Sequence, residues 1–182
     1  MIEILNKRFY RNTHFSLLHQ DVLKVNLVEE IEKMRQAGAK QVKVVANLPY
    51  YITTPIIMKL LEEHLAINTI TVMVQKEVAQ RLTAVPGETY TGAITYAINY
   101  YTKPEMILQV PKESFLPEPE VDSSVIQLTV LPTPSVKVKD EEAFFHFIKV
   151  AFMQKRKTLV NALENGGIAK KEQIEGALKQ LG

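Results

Sequence analysis

The feature that most constrains this chain is a short apolar run, Val42-Lys43-Val44-Val45-Ala46, that breaks into Asn47-Leu48-Pro49-Tyr50. A bounded, β-branched run of this length reads as a buried parallel strand. Helical and strand patterns alternate around it. Leu27 to Ala37 and Pro55 to His64 read as amphipathic helices, with Pro55 suited to a first turn. Ile67 to Val74 reads as a strand and Gln75 to Ala84 as a helix. Gly92 to Tyr101 reads as a helix with Tyr96 and Tyr100 in the core, and Met106 to Val110 and Val125 to Val130 as strands. Pro132-Thr133-Pro134 marks a linker, and from about Asp140 only helical patterns remain. The pattern is that of an α/β protein followed by a small helical part. In such sheets the chemistry sits at the carboxyl mouths of the strands, which makes Asn47 to Tyr50 the first candidate site.

Asn47-Leu48-Pro49-Tyr50 resembles the active-site motif of S-adenosylmethionine-dependent amino methyltransferases, and the resemblance implies the following chemistry. An exocyclic adenine amine is a poor nucleophile because its lone pair is delocalised into the ring. A site that accepts hydrogen bonds from both N–H groups localises the pair. The side-chain oxygen of Asn47 and the main-chain carbonyl of Leu48 or Pro49 are candidate acceptors. Pro49 lacks an N–H, and its fixed φ holds Leu48 extended with its carbonyl outward. Tyr50 would stack on an extruded base, an interaction worth about 1–3 kcal/mol. By itself, an Asn-X-Pro also suits a plain turn after a strand.

With its continuation Tyr51-Ile52-Thr53-Thr54-Pro55-Ile56, this stretch resembles the ribosomal RNA adenine dimethyltransferase family, S-adenosylmethionine-dependent enzymes that dimethylate two adjacent adenines of small-subunit ribosomal RNA. The resemblance implies that Asn47, Leu48, Pro49 and Tyr50 are catalytic, and that Asn47 also touches the cofactor. The stretch Pro111 to Val125 resembles the family's link between its last two strands, where Phe115 would stand across the base from Tyr50. A phenylalanine among prolines also serves as a loop anchor. Glu118 and Glu120 read as solvated surface. Phe15 to Asp21 reads as a strand ending in an acid. The resemblance makes it the family's third strand and Asp21 the acceptor for the cofactor's adenine amine. A helix-capping role for Asp21 is the other reading, with Asn26 as a rival cap. Relatives that methylate large-subunit RNA are a further possibility, against which the Tyr51 to Pro55 continuation argues.

None of the glycines, Gly38, Gly87, Gly92, Gly166, Gly167, Gly176 and Gly182, forms a Gly-x-Gly after a strand. The resemblance opens inside the helix before the family's third strand and stops within its helical C-terminal domain. It therefore implies a partial Rossmann-like methyltransferase sheet lacking its first two strands over 1–134, then a small, incomplete all-helical RNA-contacting domain over 135–182. The strand at 15–21, without its neighbours, is expected to re-pair elsewhere or to be poorly ordered, since unpaired buried backbone groups cost about 1–3 kcal/mol each. The cofactor site is expected to be incomplete. An inactive homologue that keeps at most RNA or ribosome binding is the alternative to an active enzyme.

Charge distribution adds a second candidate surface. From Lys149 to Gly182 there are seven basic and three acidic residues, net +4, against 15 basic and 17 acidic elsewhere, net −2. Lys155-Arg156-Lys157 resembles the family's RNA-facing helical segment, and Lys76 and Arg81 are weaker candidates for the same face. Lysine in place of the family's first arginine keeps the phosphate attraction and loses the bidentate fork. Three basic residues also suit a solvated helix end. A 46% hydrophobic fraction argues for a globular chain. No apolar run approaches the ~20 residues a membrane span needs. The chain has no cysteine, and His14, His19, His64 and His146 show no ligand spacing, so no metal is expected. A cytoplasmic protein acting on the assembling small ribosomal subunit is the implied setting.

Overall fold

The computed structural model describes residues 1–154 and 156–181. It contains four strands and eight α-helices among the described residues. The chain divides into two compact units, Met1–Lys40 with Ile52–Ala66, and Gln41–Tyr51 with Ile67–Gly182.

The first unit holds α1 (Ile2–Phe9), α2 (Leu27–Gln36) and α3 (Thr53–Glu62). Asn26 caps α2 by accepting the Glu29 N–H at 3.2 Å. Gly38 ends α2 in the left-handed region, at φ +94°, where a Cβ is disfavoured. The Arg35 guanidinium bonds the carbonyls of Lys40 at 2.9 Å and Ala66 at 3.1 Å, tying α2 to the segment that follows α3. Pro55 lies in the first turn of α3, as its missing N–H allows. The apolar face of α3 (Ile56, Ile57, Leu60 and Leu61) is buried.

Residues 15–21 overturn an expectation. They form no strand, and every strand of the sheet comes from elsewhere in the chain. A strand exists only through a ladder, and these residues have none. Their local bonds are turns instead, with Phe15 N–H to Asn12 O at 3.1 Å and Lys24 N–H to Asp21 O at 2.8 Å.

The second unit is built on a mixed sheet of β1 (Lys43–Asn47), β2 (Thr69–Gln75), β3 (Thr102–Val110) and β4 (Ser123–Val130), in the order β1-β2-β4-β3. The β1 and β2 strands run parallel, with Asn47 opposite Met73; β4 is antiparallel to both β2 and β3. The β3 strand begins at Thr102, earlier than the sequence pattern predicts, and takes in Pro104. That is tolerated because β3 is an edge, where a missing N–H breaks no central ladder. A bulge between Met106 and Leu108 shifts its register.

Two helices, α4 (Lys76–Thr83) and α5 (Ala93–Tyr101), pack on this sheet. Ile70, Val72 and Val74 of β2 and Ile126 and Leu128 of β4 are almost fully buried. The alternation along β2 and β4 is that of strands with one face turned to a core. Val45, on the edge strand β1, is 81% exposed. The expected core tyrosines divide: Tyr100 is buried, whereas Tyr96 is half-buried against Phe152, with ring centroids 5.6 Å apart.

Helices α6 (Glu141–Met153), α7 (Leu159–Asn165) and α8 (Lys171–Leu181) follow. Val150, Leu163 and Ile174 form their shared core. Asp140 caps α6 through the Ala143 N–H at 3.0 Å. Gly166 ends α7 so close to Val150 that an added Cβ would lie 2.2 Å from Val150 Cγ1. Tyr100, Tyr101, Phe144 and Phe145 form an aromatic cluster where α5 meets α6, largely edge to face, and both tyrosine hydroxyls donate to the Glu141 carboxylate. Among the described residues no helix is long and apolar enough to cross a membrane.

Candidate active site

The β1 strand ends at Asn47, and its ladder with β2 fixes the backbone there opposite Met73. Leu48 turns inward at 8% exposure, while Asn47 and Pro49 stay exposed. A 3-10 turn, Tyr50–Ile52, follows directly. This is the local consequence of Leu48-Pro49: the proline holds the preceding residue extended, so the chain leaves the sheet before it can coil.

Tyr50 is 39% exposed, and its hydroxyl lies 2.9 Å from Ser123 Oγ. The ring is thus held at its far end while part of its surface stays open. Phe115 lines the same pocket. It follows a second 3-10 turn, Lys112–Ser114, and its N–H donates to Lys112 O at 3.2 Å. Asn47, Leu48, Pro49, Tyr50 and Phe115 line one shallow pocket of about 330 Å³. The structure therefore brings together five residues from two stretches far apart in the chain. Phe115 is half-buried, so it is both packed and part of the pocket wall.

The chemistry available here is that of acceptors between aromatic surfaces. Asn47 supplies an exposed amide oxygen, the adjoining carbonyls each have two lone pairs, and Tyr50 and Phe115 supply π faces. The walls are tied down behind the pocket. The Asp122 carboxylate accepts the Lys112 N–H at 3.2 Å and lies 3.5 Å from Lys76 Nζ. Lys112 also pairs with Glu118 at 2.7 Å. Tyr100, away from the pocket, is a phenol with a clear shift. Burial first, then the hydrogen bond and charge of Glu141, push it above the usual tyrosine range.

Asp21 lies in the other unit. It is exposed, and its Oδ1 accepts the Leu23 N–H at 3.0 Å in a tight turn. The helix-cap reading of Asp21 is overturned, because Asn26 caps α2. In the basic cluster, Arg156 and Lys157 are exposed just before α7, and the Lys157 N–H donates to Gln154 O at 2.9 Å. Lys155 lies outside the described residues. Lys157 and Arg81 share a wider groove of about 630 Å³ with Tyr90, Phe152 and Gln154. Ser123 and Asp122 are the residues that sequence reasoning passed over. Both stand in a stretch already singled out, but the Tyr50 partnership spans 73 positions and leaves no local signal.

Comparison with known proteins shows the family of this chain. The model of the family described as Ribosomal RNA adenine dimethylase matches residues 1–179. A Ribosomal RNA small subunit methyltransferase A of Bacillus pumilus is 47% identical over 182 residues, covering 98% of this chain and 62% of its own length. The protein of the same name from Geobacillus thermodenitrificans is 52% identical over 170 residues, 91% of this chain and 57% of its own. Among solved structures, a dimethyladenosine transferase from Plasmodium falciparum superposes with a TM-score of 0.69 at 24% identity, over 89% of this chain and 55% of that one. The 23S rRNA methyltransferase ErmE gives 0.65 at 19% identity, over 97% and 66%. These two likenesses show the fold, which is the α/β, Rossmann-like one the sequence implies. The chain spans roughly three fifths of the length of the relatives named.

Proposed function

Since the chain belongs to the ribosomal RNA adenine dimethylase family, we propose that it transfers methyl groups from S-adenosylmethionine to the N6 amines of adjacent adenines in small-subunit ribosomal RNA. The observation that carries this reading is the pocket where Asn47, Leu48, Pro49, Tyr50 and Phe115 meet at the mouth of a parallel strand. Tyr50 and Phe115 flank the extruded adenine. Asn47 Oδ1 and the carbonyl of Leu48 or Pro49 accept its two N–H groups, which concentrates the lone pair on nitrogen. Attack on carbon is an in-line displacement whose barrier falls through positioning. The proton leaves to water afterwards, so no general base is required. S-adenosylmethionine, when bound, supplies the electrophilic sulfonium methyl.

On the sequence resemblance two residues, one in each unit, are assigned to that cofactor. Asp21 is exposed, with one carboxylate oxygen held by a backbone N–H, an arrangement fit to accept from an adenine amine. Asn47 is exposed beside the pocket. Of the six glycines among the described residues, none directly follows a strand. Calorimetric titration of S-adenosylmethionine into the 182-residue chain is expected to give saturable binding that Asp21→Ala abolishes. A folded chain that takes up no cofactor would instead favour the second reading, a homologue without catalysis that retains RNA or ribosome binding.

We assign the RNA-contacting role to the helical part, residues 135–182, and the catalytic role to residues 1–134. The Arg81 and Lys157 groove, with two aromatic side chains in its lining, supports RNA contact on that side. Lys155 belongs to the same proposal on sequence grounds. Reversing Arg156 and Lys157 to Glu is expected to weaken binding to the small subunit by about tenfold or more and to flatten its salt dependence. Filter binding across a salt series measures both quantities, and an unchanged slope would remove these residues from the interface. The setting we propose is the cytoplasm, on the assembling small subunit.

A further inference from the structure

The Tyr50 and Phe115 walls are carried by turns; Tyr50 is bonded to Ser123, the first residue of the central strand β4, and the turn before Phe115 is bonded to Asp122, the residue preceding it. Ser123 opens β4 and is paired on both sides, with Gln75 of β2 and Val110 of β3. Its side chain is fully buried, and its Oγ meets the Tyr50 hydroxyl at 2.9 Å. Asp122 accepts the Lys112 N–H at the head of the 3-10 turn that delivers Phe115. Its carbonyl accepts the Lys76 N–H at 3.0 Å, which fastens the same point to the start of α4. We propose that Asp122 and Ser123 are positioning residues that fix the two aromatic walls of the pocket before a base arrives, Ser123 through Tyr50 and Asp122 through the turn before Phe115.

The physical reason is preorganisation. A tyrosine on a turn explores several rotamers, and stacking must then pay to order it. Holding the ring by its hydroxyl removes that cost and leaves the faces free. The anchor is rigid because two ladders fix the Ser123 backbone, as a supporting shell requires. The proposal rests on the reading of the pocket as a base slot, and the two can fail separately.

The test uses the whole chain and a single-stranded RNA oligonucleotide carrying 2-aminopurine in place of one adenine, whose fluorescence falls when the base is stacked. The parent chain quenches the probe and Tyr50→Ala does not. Ser123→Ala lowers the quench at saturation severalfold while overall RNA affinity, read by anisotropy, stays nearly the same, and Ser123→Thr restores it. Tyr50→Phe keeps the ring but lacks the same hydrogen bond, so it reproduces the loss even where Ser123→Ala folds poorly. Asp122→Ala also lowers the quench. A Tyr50→Ala chain that quenches like the parent overturns the base-slot reading. Loss in Tyr50→Ala with full quench in both Ser123→Ala and Tyr50→Phe overturns the positioning proposal alone. A second readout needs no RNA. In chain labelled with ring-13C tyrosine, the Tyr50 resonances shift and narrow in Ser123→Ala and return in Ser123→Thr; resonances indifferent to both changes defeat the proposal.

Discussion

Asn47→Ala is expected to cut methyl transfer to unmodified small subunits by about 10²–10³-fold, the size of effect seen when one preorganised polar group is removed from a transition state. The loss falls on the chemical step. In the proposed mechanism Asn47 accepts one of the two amine N–H groups, and without it the lone pair would stay in the adenine ring. On the same proposal the substrate would still stack on Tyr50, so turnover is expected to drop more than apparent affinity. The fold is indifferent to the change. Asn47 is exposed, and it is the backbone at this position that pairs with β2. Incorporation of radiolabelled methyl, with circular dichroism on the same samples, separates chemistry from folding. Full activity in Asn47→Ala would discard the proposed mechanism. An inactive parent chain that still binds small subunits would favour the second reading.

The second large effect is on stability. Ile126→Ala is expected to cost about 2–5 kcal/mol, from lost transfer free energy and the cavity left behind. Ile126 has no exposed surface and lies in β4, between Val72 of β2 and Met106 of β3, in the sheet on which α4 and α5 pack. A domain of this size is stable by only about 5–15 kcal/mol, so the urea midpoint should fall far. Val45→Ala is the matched comparison. Its side chain is 81% exposed on the edge strand, and the expected change is within about 0.5 kcal/mol. Equal shifts for the two variants would mean that the buried face of the sheet is not the core of this unit.

Much of this was legible in the chain itself, for a reason that differs by element. The Asn47 to Tyr50 motif is contiguous, so its chemistry and its proline geometry can be read without knowing the neighbours. The α2 and α3 helices announce themselves through period, cap and first-turn proline. The β2 strand does so through an alternation that its buried face enforces. The failures are all matters of partnership. Phe15 to Asp21 carries a strand's composition and is no strand, since composition cannot supply a ladder. The β3 strand runs back through Pro104 because it lies at an edge, a fact about sheet order that no local pattern encodes.

What the sequence determined alone, then, is the class of elements, the motif at the mouth of β1 and the family to which they belong. Each rests on interactions between residues a few positions apart. Only the tertiary structure decided which strands pair and that Ser123 reaches Tyr50 across 73 positions; the meeting of Phe115 with Asn47 and Tyr50 was implied by the family resemblance and by no local pattern. Such contacts are chosen by the global packing of the sheet, where burial and closed hydrogen bonding outweigh any local preference.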